Sequence, residues 1–195
     1  MPKKNEREYR SMPLMETDSE YRAEGYATTF SDPYLLFRDG DTEYFEEVAP
    51  GAIDENTDMS DVIFQYDHSG MVYARQSNGT LSISTDEHGL KVNVDLSKTA
   101  DARNMFENIS SGMVKDMSWA FSVDGQKYDK ETHTRTITHI RKIYDCSAVS
   151  IPANPNTEIV AARSFIDGEI AKELKEFEMR EAKKAKIRLL LELGK

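Results

Sequence analysis

MSWAFSV (residues 117–123) and, after a connection from Gly125 to Thr132, TRTITHIRKIY (residues 134–144) decide the fold. Both alternate apolar and polar residues, the period of a strand with one face in a core. In the first, Met117, Trp119, Phe121 and Val123 share a face and form a core stripe. Ser118, Ala120 and Ser122 fall on the other, a face of small residues. The second segment is expected to pair with the first as a long hairpin, with strand character continuing to Ile151. Toward the N-terminus, Thr80 to Ser84 and Leu90 to Leu96 alternate in the same way. TDEHG (residues 85–89) joins them as a hairpin connection with its glycine late. Val62 to Tyr66 is a β-rich run that ends at Asp67-His68. Glu43 to Val48 and Tyr21 to Phe30 read as strands, the latter closed by the turn residues Ser31-Asp32-Pro33. One helix interrupts the series: Ala102, Met105, Phe106 and Ile109 keep the i, i+3, i+4, i+7 spacing. Ser97 or Thr99 caps it and Gly112 suits its exit. The count is seven or more strands with few helices. The expected architecture is mainly β with flanking helices (α+β), a small barrel or strongly bent sheet.

Residues 1–20 are polar and without periodicity, and are expected to fray as a flexible arm. From about Phe165, Ile166, Ile170, Leu174 and Phe177 form a stripe, and Leu189-Leu190-Leu191 and Leu193 follow. This reads as one long C-terminal helix. It either packs on the body as a solvated helix or protrudes, to dock on a partner or be removed. The expected division is 1–20, 21–163 and 164–195.

The 195-residue chain is 38% hydrophobic and 31% charged, a balance that gives a compact core with solvated arms. Its net charge of −10 repels phosphates and argues against nucleic acid as the main partner. Residues 166–195 hold eight Lys/Arg and seven Asp/Glu, so residues 1–165 carry a net charge of −11. A single cysteine, Cys146, excludes an intrachain disulfide and fits a reducing compartment. No apolar run approaches the roughly 18–20 residues that span a bilayer. No secretory signal is visible at the N-terminus. The expectation is a soluble intracellular protein with no membrane partner.

Ser118 becomes a nucleophile if the fold brings a base to it. His68, at a strand end, is a candidate: such a position presents a side chain to a cleft, and imidazole suits general-base work. It also shares parity with Val62, Phe64 and Tyr66, and so reads equally as a structural residue closing a core stripe. On an ideal strand Asp145 and His139 share a face with Ile137 and Ile143. Either could accept the second imidazole proton and fix the tautomer. Asp145 lies among Ile143, Cys146 and Val149, where a buried charge needs a partner. His139 reads better as an exposed edge residue. His68, His88, His133 and His139 show no metal-ligand spacing, so no metal and no cofactor are expected. Cys146 reads as a small buried hydrophobe.

At these residues the chain resembles the prohead (procapsid) maturation proteases of tailed bacteriophages, which are distantly similar to the herpesvirus assemblins. Phe45 to Ile53 resembles the family's "F…PGAF" segment, and Gln65-Tyr66-Asp67-His68 its histidine motif. Leu81 to Leu90 is similar to its "L…DEHGL" hairpin and Ile109 to Phe121 to its serine motif. Tyr144 to Pro155 resembles its "EVSLV..PAN" close. Trp119-Ala120 replaces the usual pair after the serine, and aspartate replaces glutamate at 145. The resemblance covers roughly residues 21–163. It implies a barrel of the herpesvirus-protease type and a serine endopeptidase. His68 is then the base, Ser118 the nucleophile and Asp145 the orienting acid, with His139 the alternative because assemblins use a second histidine. Backbone amides near Ser111-Gly112 or Ala162-Arg163 are candidate oxyanion donors. The implied substrates are scaffold or major capsid protein inside the immature capsid in the host cytoplasm. The chain itself is another, with a cut between Ala161 and Phe165; association of the chain with itself stays open. The rival reading is an inactive structural module of the procapsid.

Overall fold

The computed structural model describes residues 7–17, 20–150 and 160–193. Its strands are β1 (Glu8–Glu16), β2 (Arg22–Thr29), β3 (Tyr34–Asp39), β4 (Thr42–Val48) and β5 (Ile63–Tyr66). β6 (Val72–Arg75), β7 (Leu81–Thr85), β8 (Gly89–Asp95), β9 (Asp116–Asp129) and β10 (Thr134–Val149) follow. The helices are α1 (Ala100–Ser110) and α2 (Val160–Leu193).

The strands pair in the order β3-β4-β10-β9-β1-β2-β8-β7, with β5 between β10 and β6. The expected hairpin is the centre of this sheet. It is longer than predicted, with β9 running past Gly125 to Asp129, so the turn shrinks to Lys130–His133. Parallel β4 and β5 share the far edge of β10: Phe45 pairs with Thr134 and Ile63 with Asp145. The sheet is not closed among the described residues, so of the two expected forms, a closed barrel or a strongly bent sheet, the closed barrel is not confirmed. Its nearest approach to closure is one isolated bridge, Phe30 to Val48, which brings the end of β2 to the end of β4.

Residues 8–16, expected to fray, instead form a strand between β9 and β2. Glu8 and Arg10 face the core side, where the Arg10 guanidinium lies 5.7 Å from the Phe121 ring centre. Buried charge there needs full pairing. Arg10 donates to Glu46 Oε1 at 2.6 Å and to Glu8 at 2.9 Å. Arg135 donates to Glu8 at 2.7 and 2.8 Å, to Gln126 at 2.7 Å and also to Glu46. Tyr34 completes the set on Glu46. Burial alone would raise the Glu46 carboxyl, but the charges of Arg10 and Arg135 outweigh it and hold it at about 2. This cluster ties β1, β3, β4, β9 and β10 together.

Met117, Trp119 and Phe121 enter the main core as predicted, with Val123 packed against it. α1 buries Ala102, Met105 and Ile109. Thr99 caps it by accepting the Ala102 amide at 3.1 Å, and Gly112 takes a left-handed φ of 72° at its exit. Each large side chain so buried contributes about 1.5–3 kcal/mol.

Parity fails on β10. The core takes Ile137, Ile140, Ile143, Cys146 and Ala148, a spacing no ideal strand provides. Register shifts lie between Ile137 and His139, around Ile140, and between Ile143 and Asp145. Gly125 sits against this irregularity: a Cβ there would lie 2.8 Å from the His139 Cβ. The bulges put Ile143 with Cys146 and turn Asp145 to the opposite face.

α2 begins earlier than predicted. Ala162 and Ile166 form a second, smaller core with Leu36 and Phe37. Lys130 reaches Glu173 at 3.0 Å, but Ile170, Leu174 and Phe177 are 39%, 61% and 61% exposed. The tail therefore packs at its start through Ile166 and leaves the rest of its apolar stripe, from Ile170 to Phe177, facing solvent. The side chains of Leu189, Leu190, Leu191 and Leu193 lie outside the described residues, as do Ile151 and the segment Pro152 to Pro155. Among the described residues, no helix is long and apolar enough to cross a membrane.

Candidate active site

β9, β10 and the turn after β5 build the site. On β9, Ser118 stands opposite Ser147 of β10, and Ala120 opposite Asp145. Ser118, Ser147 and Asp145 therefore line one face, away from the core stripe of β9. β5 runs parallel to the end of β10, which brings its C-terminal turn over that face.

The turn is held from both sides. Asp67 and His68 adopt φ of 45° and 55°, a left-handed pair that costs on the order of 1 kcal/mol per residue or more. Asp67 N–H donates to Ala148 O at 3.0 Å. The Asp67 carboxylate accepts the Ser150 amide and hydroxyl, each at 2.9 Å. Gly70 closes the turn by donating to Tyr66 O at 2.7 Å; any Cβ at 70 would lie 2.7 Å from that same oxygen. Glycine is thus required for the turn that aims His68.

His68 Nδ1 lies 2.6 Å from Asp145 Oδ1. An ionised carboxylate only accepts, so this partner assigns the imidazole proton to Nδ1 and leaves Nε2 with a lone pair. The Tyr9 ring packs edge-on to the imidazole at 4.6 Å between centres. His68 Nε2 and Ser118 Oγ are both buried, and neither has a hydrogen-bond partner. One is an acceptor lacking a donor and the other a hydroxyl lacking an acceptor. Their chemistry is complementary.

The small-residue face is closed to solvent. Ser118 is 1% exposed, and Ala120 and Ser122 are equally buried. β1 runs alongside, with Ser11 opposite Ser118 and Tyr9 opposite Ala120, and the His68 turn reaches across. His68 itself does not continue the Val62–Phe64–Tyr66 alternation, because the left-handed turn breaks it.

His139 lies elsewhere. Its Nδ1 bonds Asp124 and its Nε2 lies 3.4 Å from Asp54. The Asp124 bond raises its pKa against a smaller effect of burial. Both ring nitrogens are committed to these carboxylates, so it does not reach His68. Burial pushes the Cys146 thiol far up, which fits a buried hydrophobe rather than a nucleophile. The Ser111 and Gly112 amides are already bonded to Glu107 O and Ile109 O. Ala162 belongs to the second core. Among the described residues no group of three or more His, Cys, Asp or Glu side chains could hold a metal ion.

Sequence reasoning missed Tyr9, Ser147 and Ser150. Tyr9 sits in the segment set aside as an arm. Ser147 and Ser150 carry no signal before the register is known.

A histidine fixed by a carboxylate, with its free nitrogen buried on the same face as an unpartnered serine, is the constellation of a serine hydrolase. A family model agrees: residues 9–170 match that of the caudovirus prohead serine protease, and the chain belongs to this family of serine peptidases. The match begins within β1 and ends within α2. No curated protein and no solved structure matches the chain.

Proposed function

We propose that the protein is a serine endopeptidase of procapsid maturation, cutting scaffold or capsid-protein segments, and itself, inside the immature capsid in the host cytoplasm. Ser118 Oγ attacks the peptide carbonyl as its proton passes to His68 Nε2. Asp145 holds the imidazole and balances the imidazolium that forms. The imidazolium then protonates the leaving amine, and water, deprotonated by the same nitrogen, hydrolyses the acyl-enzyme. The observation that carries this reading is the 2.6 Å His68–Asp145 bond beside two unpartnered atoms, Nε2 and Ser118 Oγ. Confinement with the substrate supports turnover by a modest catalyst through high local concentration. Self-cleavage within 161–165 requires the first turns of α2 to unwind, since those residues are helical and Ala162 is buried.

The test is co-expression with the matching capsid protein, wild type against Ser118→Ala. Loss of such a nucleophile costs on the order of 10⁶ in kcat. Processing should vanish in the variant. Processing that continues unchanged would sink the assignment, and a wild type that assembles capsids without cutting would favour a structural module.

A further inference from the structure

Two serines face each other across β9 and β10, and only one of them is free to react. Ser147 is fully buried, and its hydroxyl donates to Asp145 Oδ1 at 2.7 Å. That oxygen is the one that accepts His68 Nδ1–H. Ser147 lies two residues beyond Asp145 on the same face of β10, where the bulge after Ile143 has turned the carboxylate away from the core. A buried carboxylate needs such donors. Its rotation would otherwise be fixed by the histidine alone, the group it is meant to orient.

We propose that Ser147 is a positioning residue: its hydroxyl locks the Asp145 carboxylate in the rotation that aims His68 Nε2 at Ser118. This rests on the Ser118–His68–Asp145 reading above. The same bond distinguishes the two serines. The Ser147 proton is committed to Asp145, whereas Ser118 Oγ has no partner.

The experiment uses the full chain and a fluorophosphonate probe. Ser118 Oγ bonds to phosphorus, the P–F bond breaks, fluoride leaves and the hydroxyl proton passes to His68 Nε2. Labelling rates give kinact and KI, and peptide mapping gives the labelled residue. Ser147→Ala should lower kinact about ten- to a hundred-fold, the range for losing a hydrogen bond to a charged group, and leave KI unchanged. In an Asp145→Asn background the same change should alter kinact less than about twofold, because residues that act through one another are not additive. Ser147→Cys, close in size with a weaker donor, should fall between wild type and alanine. It stands in if the alanine variant fails a thermal-unfolding check. Independently of activity, the downfield proton resonance of His68 Nδ1–H should broaden in Ser147→Ala.

An unchanged kinact, or an equal drop in both backgrounds, overturns the role of Ser147 while leaving the site intact if Ser118→Ala abolishes labelling. A wild type that takes no label, or a label that persists in Ser118→Ala, on Ser147 or elsewhere, overturns both.

Discussion

Two polar clusters are buried in this molecule and are completed in opposite ways. Around Arg135, two guanidiniums, two carboxylates, a phenol and an amide satisfy one another across five strands. Around His68, the carboxylate is satisfied twice over while Nε2 and Ser118 Oγ are left open. Among the described residues four buried side-chain polar atoms lack a partner; none is in the ion cluster, and two are in the candidate site. A saturated cluster holds strands together. An unsaturated one keeps a high-energy acceptor and donor for something that arrives later.

The sharpest way to break this contrast is Asp145→Asn. The amide can donate to His68 Nδ1 and so favours the wrong tautomer. Probe labelling of Ser118 should drop on the order of 10⁴-fold with little change in fold. If labelling survives, the open pair does not work through Asp145.

Next in size is Arg135→Met, which leaves Glu8 and Glu46 buried with fewer partners. Stability should fall by about 3–5 kcal/mol in denaturant unfolding. Replacing Glu8, Arg10, Glu46 and Arg135 together with apolar residues of similar volume should be near neutral or stabilising, which would show the cluster to be exchangeable where the site is not.

Smaller again is the acid response. Glu46 is held at about 2 in the fold against an ordinary 4.5. Its contribution is complete above about 4.5 and is lost as pH falls toward 2. Thermal unfolding midpoints should decline through that window, and less steeply in the fourfold apolar variant. The smallest effect belongs to the solvent-facing stripe of α2. Leu174→Ser should change stability by no more than about 0.5 kcal/mol, since the residue is 61% exposed; a larger loss would place Leu174 against the body.

Periodicity made the larger elements legible. The β9 stripe, the β7–β8 hairpin and α1 with its Thr99 cap follow from apolar spacing that neighbouring structure reinforces. β1 was invisible because its inward residues include Glu8 and Arg10, whose burial makes sense only once Glu46 and Arg135 are beside them. β3 and β6 are short and carry little alternation. On β10 the bulges broke the parity that linked Asp145 to His139. Asp145 was nonetheless legible as a carboxylate in apolar company that needed a partner. His68 and Ser118 were legible by residue type and by resemblance. Ser147 and Tyr9 were not, because their roles follow from strand register, which no single segment encodes.

The place of β1 bears on the order in which the chain is made. Ser11 pairs opposite Ser118, and Glu8 needs Arg135. β1 is made before β9 and β10 and waits for both, so a long loop must close before any of these contacts form. Until β9 and β10 have emerged, neither the ion cluster nor the site exists. A nascent chain that stops short of β10 lacks both the ion pairs of Arg135 and the carboxylate that holds His68.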